Sequence, residues 1–292
     1  MGIMRQVQRD CFSMRLRIAG GQISAEKLKK VYEIAQKFGR GYIHLTSRQG
    51  IEIPFIKLED MEAIQFELCK AGLELGSSGP RVRAVTACQG SAICPSGLID
   101  TTALANELDK RYFAKDLPHK FKLGVTGCKN NCLKAEENDL GIKGGIQPTW
   151  NKANCNFCGL CEAVCPGKAI NLDKGNQNLV FAEDQCICGE CVKSCPLAAW
   201  QGKNGFLVYF GGTLGNQIAT GKQLIPLIFE QKELFRFIDA TLAFFAKYGK
   251  PKERFRRTIE RVGWELLEKE LSDTVTKFPE DVFDYISDVA AR

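Results

Sequence analysis

From Ser24 onward, apolar residues recur at helical spacing. Leu28, Val31, Ile34 and Phe38 share one stripe, Ser24 reads as the N-cap, and Gly39 ends the run. The period then changes. Residues 42–46 and 51–55 alternate apolar and polar positions around a turn at 47–50, which predicts a hairpin. Met61, Ile64, Leu68 and Ala71 return to helical spacing and stop at Gly72. Residues 1–75 therefore read as a small α+β unit with two helices on one face of a sheet. Gly76-Ser77-Ser78-Gly79-Pro80 is a breaker cluster and marks a boundary. Beyond it the pattern predicts a helix over 101–112 and a strand over 120–125. From Phe206 a strand over 206–210 leads to Gly211-Gly212. Helices follow over 233–248 and 252–271, the last with Phe255, Ile259, Val262 and Leu266 on one face. Residues 150–200, between these regular stretches, are short-patterned, Cys-rich and internally repeated. They read as an insertion in a domain that resumes after them.

At 292 residues the chain is long enough for two domains, and its 45% hydrophobic and 25% charged residues are ordinary for a globular protein. The fourteen cysteines are not ordinary. Cys11 and Cys69 stand alone, and the rest fall in closely spaced sets between Cys88 and Cys195. Disulfide scaffolds are usually short and secreted. Arg5, Arg9, Asp10, Arg15 and Arg17 leave no apolar signal core near the start, and no apolar window is long enough to span a bilayer. A cytoplasmic protein with no membrane partner is expected. The net charge of +6 is modest, and no basic run is interleaved with aromatics as single-strand binders require. A nucleic-acid partner is not expected. The basic residues gather near the cysteines, which suits an anionic cofactor.

Cys155-x2-Cys158-x2-Cys161-x3-Cys165-Pro166 is the bacterial ferredoxin run, in which three close thiolates wrap one cluster and the fourth turns to another. Cys186-x-Cys188-x2-Cys191-x3-Cys195-Pro196 repeats it with one residue missing. Swapped ligation groups Cys155, Cys158, Cys161 and Cys195 on one [4Fe–4S] cluster and Cys186, Cys188, Cys191 and Cys165 on the other. Zinc is the alternative for paired cysteines, but repeated Cys–Pro endings are not its pattern. By itself this block says only electron transfer.

A second constellation is more specific. Cys88-x5-Cys94 and Cys128-x3-Cys132 lie far apart, so two loops must converge to hold one cluster. Around them stand Leu45-Thr46-Ser47-Arg48-Gln49, Arg83-Ala84-Val85, His119-Lys120-Phe121-Lys122, Asn130, Gly211-Gly212-x2-Gly215, and Arg257-x2-Glu260-Arg261-x-Gly263. In this order the motifs resemble the nitrite and sulfite reductase superfamily, and the resemblance spans most of the chain. Within it the chain is similar to the subunit designated C of the anaerobic sulfite reductases and to short dissimilatory-sulfite-reductase-like proteins. Departures are the shortened second ferredoxin run, Ala84 where Asn is frequent, and a compact C-terminus.

The resemblance implies a single-repeat α+β fold. Residues 1–76 would form a ferredoxin-like α/β unit, and 77–149 the first part of a siroheme and [4Fe–4S] domain. Residues 150–200 would be an inserted two-cluster ferredoxin domain, and 201–292 the rest of the siroheme domain with C-terminal helices. It implies siroheme and three [4Fe–4S] clusters as cofactors. One cluster would be held by Cys88, Cys94, Cys128 and Cys132, with Cys132 bridging to the siroheme iron. Gln49, Asn130 and Gly212 would contact the siroheme. Arg48, Arg83, Lys120 and Lys122 would surround sulfite, arginine through planar forks and lysine also as proton donor. The expected reaction is six-electron reduction of sulfite to sulfide. Nitrite reduction to ammonia is the neighbouring reading, although nitrite-reducing relatives often carry Asn where this chain has Lys122. An electron carrier without turnover is a third. Expected partners are flavin and iron–sulfur donor subunits or a ferredoxin, with pairing of the chain into a homodimer or larger complex. By the resemblance, the four cations of one chain face the siroheme above Cys132 of the other.

Overall fold

The computed structural model describes residues 2–182 and 187–277. Cys186 lies outside the described residues.

The N-terminal unit comprises β1 (Ile3–Arg5), β2 (Cys11–Arg15), α1 (Ala25–Phe38), β3 (His44–Leu45), β4 (Ile51–Lys57) and α2 (Met61–Lys70). Its antiparallel sheet runs β1-β2-β4-β3. Ser24 caps α1, its Oγ accepting the Lys27 N–H at 3.2 Å. Val31 and Ile34 of α1 and Ile64 and Leu68 of α2 bury against Met14, Ile51, Ile53 and Ile56. Strict alternation would turn Ile56 away from Ile53. Phe12 pairs with Ile56 and Met14 with Ile53, so β4 carries an extra residue there, and Phe55 sits at φ 63°. This bulge returns Ile56 to the core. Glu52, Ser13 and Arg15 occupy the opposite face. β1 and β2 are too short and polar to register as strands in the sequence.

The larger unit begins with β5 (Thr86–Ala87), α3 (Thr101–Tyr112), β6 (Leu123–Thr126) and β7 (Leu140–Trp150). It continues through α4 (Leu160–Ala163), β8 (Ile170–Asp173), β9 (Asn178–Phe181) and α5 (Glu190–Ser194) to β10 (Trp200–Phe210) and β11 (Lys222–Gln223). It ends with α6 (Gln231–Tyr248), α7 (Phe255–Val262) and α8 (Trp264–Lys277). The central sheet is ordered β11-β10-β7-β6-β5, with β5, β6 and β7 parallel and the rest antiparallel. Asp100 caps α3 through the N–H groups of Thr102 and Ala103. The core joins Leu123, Val125, Leu140, Ile142 and Phe210 to Leu108 of α3 and to Phe244, Phe245 and Phe255 of the helices. No helix among the described residues is long and apolar enough to cross a membrane.

Three expectations are corrected. The strand expected over 120–125 begins at Leu123, after an irregular approach, and the one expected at 206–210 begins at Trp200. β7 is a further strand, disguised in the sequence by its glycines and Pro148. Tight backbone packing requires that composition: a Cβ on Gly144 would lie 2.2 Å from the Gly127 carbonyl oxygen. The helix expected over 252–271 is two helices, broken at Gly263, whose φ of 108° no L-residue tolerates easily.

β7 and β10 pair without interruption from Leu140–Phe210 to Trp150–Trp200. The described residues between 151 and 199 occupy the end of this long hairpin, where Cys161, Ile170, Leu179 and Cys191 form a small core with Trp200 of β10. Gly159 precedes α4 and Gly189 precedes α5, both left-handed, at φ 84° and 74°. The described parts of the two cysteine runs thus share a left-handed glycine before a short helix.

Candidate functional site

The turn between β3 and β4 carries Arg48 and Gln49 across to the larger unit. Arg48 donates to Asn138 Oδ1 at 2.9 Å, to the Ala84 carbonyl at 3.1 Å and to the Leu123 carbonyl at 3.4 Å. All three acceptors are neutral, so they hold the guanidinium without cancelling its charge. Gln49 sits at φ 58° and spends its amide on Ala87, donating to its carbonyl at 2.7 Å and accepting its N–H at 2.9 Å. The residue expected to meet a cofactor is thereby a clamp on the strand that leads into Cys88.

Arg83 and Lys122 stand just before β5 and β6. These approaches are tied together, with Arg83 N donating to the Phe121 carbonyl at 2.9 Å. A cleft of about 240 Å³ opens between the two units. Its lining includes Arg15, Arg48, Arg83, Lys120 and Lys122, with Thr46, Ser47, Ser77 and Ala84, and no carboxylate among the described residues. The four sequence-expected cations are therefore brought together. Arg15 is a fifth that sequence reasoning missed. It lies opposite Glu52 across β2 and β4 and donates to Glu52 Oε1 at 2.7 Å. Glu52 also faces His44 Nδ1 at 3.2 Å.

Crowded cations lower one another's affinity for protons. Burial is the largest cause at Arg48, with Arg83, Arg254 and Arg15 adding repulsion against the pull of Asp139, and its pKa falls to about 10. Lys122 falls to about 8, first through burial and then through Arg48 and Arg254, again against Asp139. Arg83 and Lys120 are pushed down by burial, Arg83 further by Arg15 and Arg254, and Lys120 by Arg254 and Arg83. Behind them Asp139 is fully buried. It accepts the Lys122 backbone N–H at 2.9 Å and one Arg254 nitrogen at 2.9 and 3.0 Å. Burial pushes the Asp139 carboxyl up, and Arg254 pulls it back. Asn138, Asp139 and Arg254 carry no local sequence signal, because their partners lie far along the chain.

Two cysteines of the first set stand at the other ends of the same strands. Cys88 follows β5 and Cys128 follows β6, so parallel pairing makes neighbours of loops distant in sequence. Leu98 N donates to the Gly127 carbonyl at 2.8 Å and ties the Cys94 loop to the Cys128 loop. Gly127 N donates to Cys88 Sγ at 3.0 Å. Cys88, Cys94, Cys128 and Cys132 are all free thiols. Cys132 and Asn130 are exposed. Four thiols are the donor type an iron–sulfur cluster takes, but among the described residues no three of them are gathered closely enough to hold a metal ion. Gly212 is buried, and a Cβ there would lie 2.0 Å from the Glu136 carbonyl oxygen. Backbone packing beside the Cys132 loop accounts for that glycine.

In the hairpin-end block, one cavity is lined by Cys155, Cys158, Cys161 and Cys195 together with Pro196. Cys165 packs in the small core with Cys191. Burial pushes the Cys161 thiol up while the Trp200 indole N–H pulls it back, and backbone N–H groups of Leu197, Ala199 and Trp200 hold Cys195 low against its burial. The Trp150 indole N–H is buried with no acceptor among the described residues, and its ring meets Phe157 between Cys155 and Cys158. Such a donor suits the sulfur atoms of a cluster.

The larger unit's sheet thus has free thiols at one end and a cation-lined cleft at the other. The chain belongs to the nitrite and sulphite reductase 4Fe-4S domain family, whose pattern matches residues 78–278; the family's ferredoxin-like half domain matches residues 4–71. It is 36% identical over 260 residues to the coenzyme F420-dependent sulfite reductase of Methanocaldococcus jannaschii, covering 88% of this chain and 42% of that protein. In Salmonella typhimurium it is similar to the anaerobic sulfite reductase, in the subunit designated C. That match is 37% identical over 204 residues and covers 64% of this chain and 60% of the relative. The chain thus spans less than two thirds of the length of either relative. The crystal structure of dissimilatory sulfite reductase I superposes with a TM-score of 0.74 at 20% identity, over 94% of this chain and 73% of that one, which is a likeness of fold.

Proposed function

We propose that the chain is a siroheme-dependent sulfite reductase subunit, with an internal ferredoxin module at residues 150–200. The observation that carries this reading is the cleft: five cations, no lining carboxylate among the described residues, and one lysine with a pKa of about 8. Arg48 is held by neutral acceptors and offers full charge to an oxyanion. Arg83 and Lys120 stand beside it. Lys122 is poised to give up a proton near neutral pH, as a reduction that releases oxygen as water requires. Cys88, Cys94, Cys128 and Cys132 would hold one cluster, and Cys132 would meet the siroheme iron. Cys155, Cys158, Cys161 and Cys195 would hold a second cluster, and Cys165, Cys186, Cys188 and Cys191 a third. Bound siroheme and clusters would relay electrons from an external donor to the anion. Nitrite is the second reading, and four or five cations suit a dianion better than a monoanion.

The strand directions support a pairing of two chains. Arg83 and Lys122 precede β5 and β6, whereas Cys88 and Cys128 follow them. Five to six extended residues put the two sets roughly 16–20 Å apart, at opposite ends of the strands. A second chain that presents its cleft to this chain's cysteine loop would complete a site.

The test is an anaerobic visible spectrum of the purified chain, with iron, acid-labile sulfide and siroheme quantified and dye-driven reduction of sulfite and nitrite compared. Siroheme absorbance that changes in Cys132→Ser, with sulfite preferred, is expected. Iron without siroheme, or no turnover of either anion, refutes the reading. Mixing Arg83→Ala with Cys132→Ser chains should regain activity, and no recovery despite exchange of chains refutes the shared site.

A further inference from the structure

The cleft cations differ in how their charge is balanced. Arg15 has Glu52. Lys122 pairs with no carboxylate among the described residues, although Asp139 accepts its backbone N–H at 2.9 Å and lies within electrostatic reach of its ammonium. Arg254 occupies that carboxylate. Its Nη2 donates to both Asp139 oxygens, at 2.9 and 3.0 Å. The segment leading to α7 is fastened to the approach of Lys122, with Lys252 N donating to the Pro118 carbonyl at 3.2 Å. Arg254 Nε is buried with no hydrogen-bond partner among the described residues. A purely structural arginine would ordinarily satisfy that donor.

We propose that Arg254 is a positioning residue for the cleft: by occupying Asp139 it keeps that carboxylate from neutralising the Lys122 ammonium, which stays available to an oxyanion. Four groups act on Lys122 from the surrounding elements. Arg48 reaches it from the β3–β4 turn, Arg254 from the start of α7, Lys120 from its own segment, and Asp139 from the start of β7. The first three repel the ammonium and the last attracts it. Removing Arg254 takes away a repulsion and releases an attraction, so both changes favour the proton. The proposal rests on the sulfite reductase reading only for the identity of the anion.

The experiment uses the full chain with its bound cofactors and reads Lys122 directly. Competitive acetylation over a pH series, followed by peptide mass spectrometry, gives the midpoint at which the amine becomes reactive. Arg254→Gln should raise that midpoint by about one pH unit, a tenfold change in protonation ratio. Arg254→Lys should restore most of the difference. Asp139→Asn should lower the midpoint instead. An unmoved or lowered midpoint in folded Arg254→Gln overturns the proposal. If that variant does not fold, Asp139→Asn decides, and a midpoint that stays or rises overturns it. Labelling requires no turnover, so failure to reduce sulfite would sink the functional reading while leaving this result intact.

Discussion

Gly144→Ala should loosen the loops that carry the first cysteine set without touching a cysteine. The new Cβ would lie 2.2 Å from the Gly127 carbonyl oxygen, 2.8 Å from its carbon and 3.1 Å from Ile99 Cγ1. Carbon–oxygen contacts relax at about 3.3 Å, so the two backbones must separate by about 1 Å. β7 has little room to retreat, because Gly144 pairs with Phe206 on one side and its neighbour Lys143 with Thr126 on the other. The Gly127 carbonyl also accepts Leu98 N at 2.8 Å, the bond that ties the Cys94 and Cys128 loops. Overpacking of this kind costs about 1–3 kcal/mol, and weakening that bond adds about 1 kcal/mol. For a chain of this size the sum lowers the melting temperature by roughly 3–7 °C. Gly167→Ala is the control, since no atom of the described residues lies within 4 Å of its added Cβ. The assay is thermal denaturation with iron and acid-labile sulfide measured per chain. Gly144→Ala should melt early and lose iron, with the block at residues 151–199 retaining its share. A Gly144→Ala protein that melts with Gly167→Ala and keeps all its iron would refute the reasoning.

Gln49→Ala removes both hydrogen bonds to buried Ala87 and should cost about 2–4 kcal/mol, read as a lower denaturation midpoint; a change below about 0.5 kcal/mol would mean the clamp is dispensable. Sulfate, as an inert oxyanion, should bind well while Lys122 is protonated and progressively worse above about pH 8, because a depressed pKa loses the ammonium earlier than an ordinary lysine does. Lys122→Met should abolish that step, and an affinity still flat well above pH 8 in the parent would contradict it. Replacing residues 151–199 by an Asn-Gly turn between Trp150 and Trp200 should preserve the β7–β10 hairpin and the helical core, with melting still cooperative. Aggregation or loss of cooperative melting would show that the block is part of the main fold.

Two kinds of site differ in how far the sequence reveals them. The cysteine runs are legible because repeated spacing is a local property: Gly159 and Gly189, at matching places in the two runs, are both left-handed and each precedes a short helix. Helices α1, α2, α3 and α6 are legible from period and caps, and Arg48, Arg83, Lys120 and Lys122 from motif order. Other features belong to tertiary structure alone. β7 looks like loop until the Cys128 loop packs against its glycines. The break at Gly263 interrupts an apolar stripe that continues on both sides. Arg15, Asn138, Asp139 and Arg254 have ordinary sequence surroundings and gain meaning only from partners far along the chain. Charge balance is a sum over space, so the sequence by itself determined which residues hold charge, and the packing of two units around one cleft decided which of those charges are left unpaired.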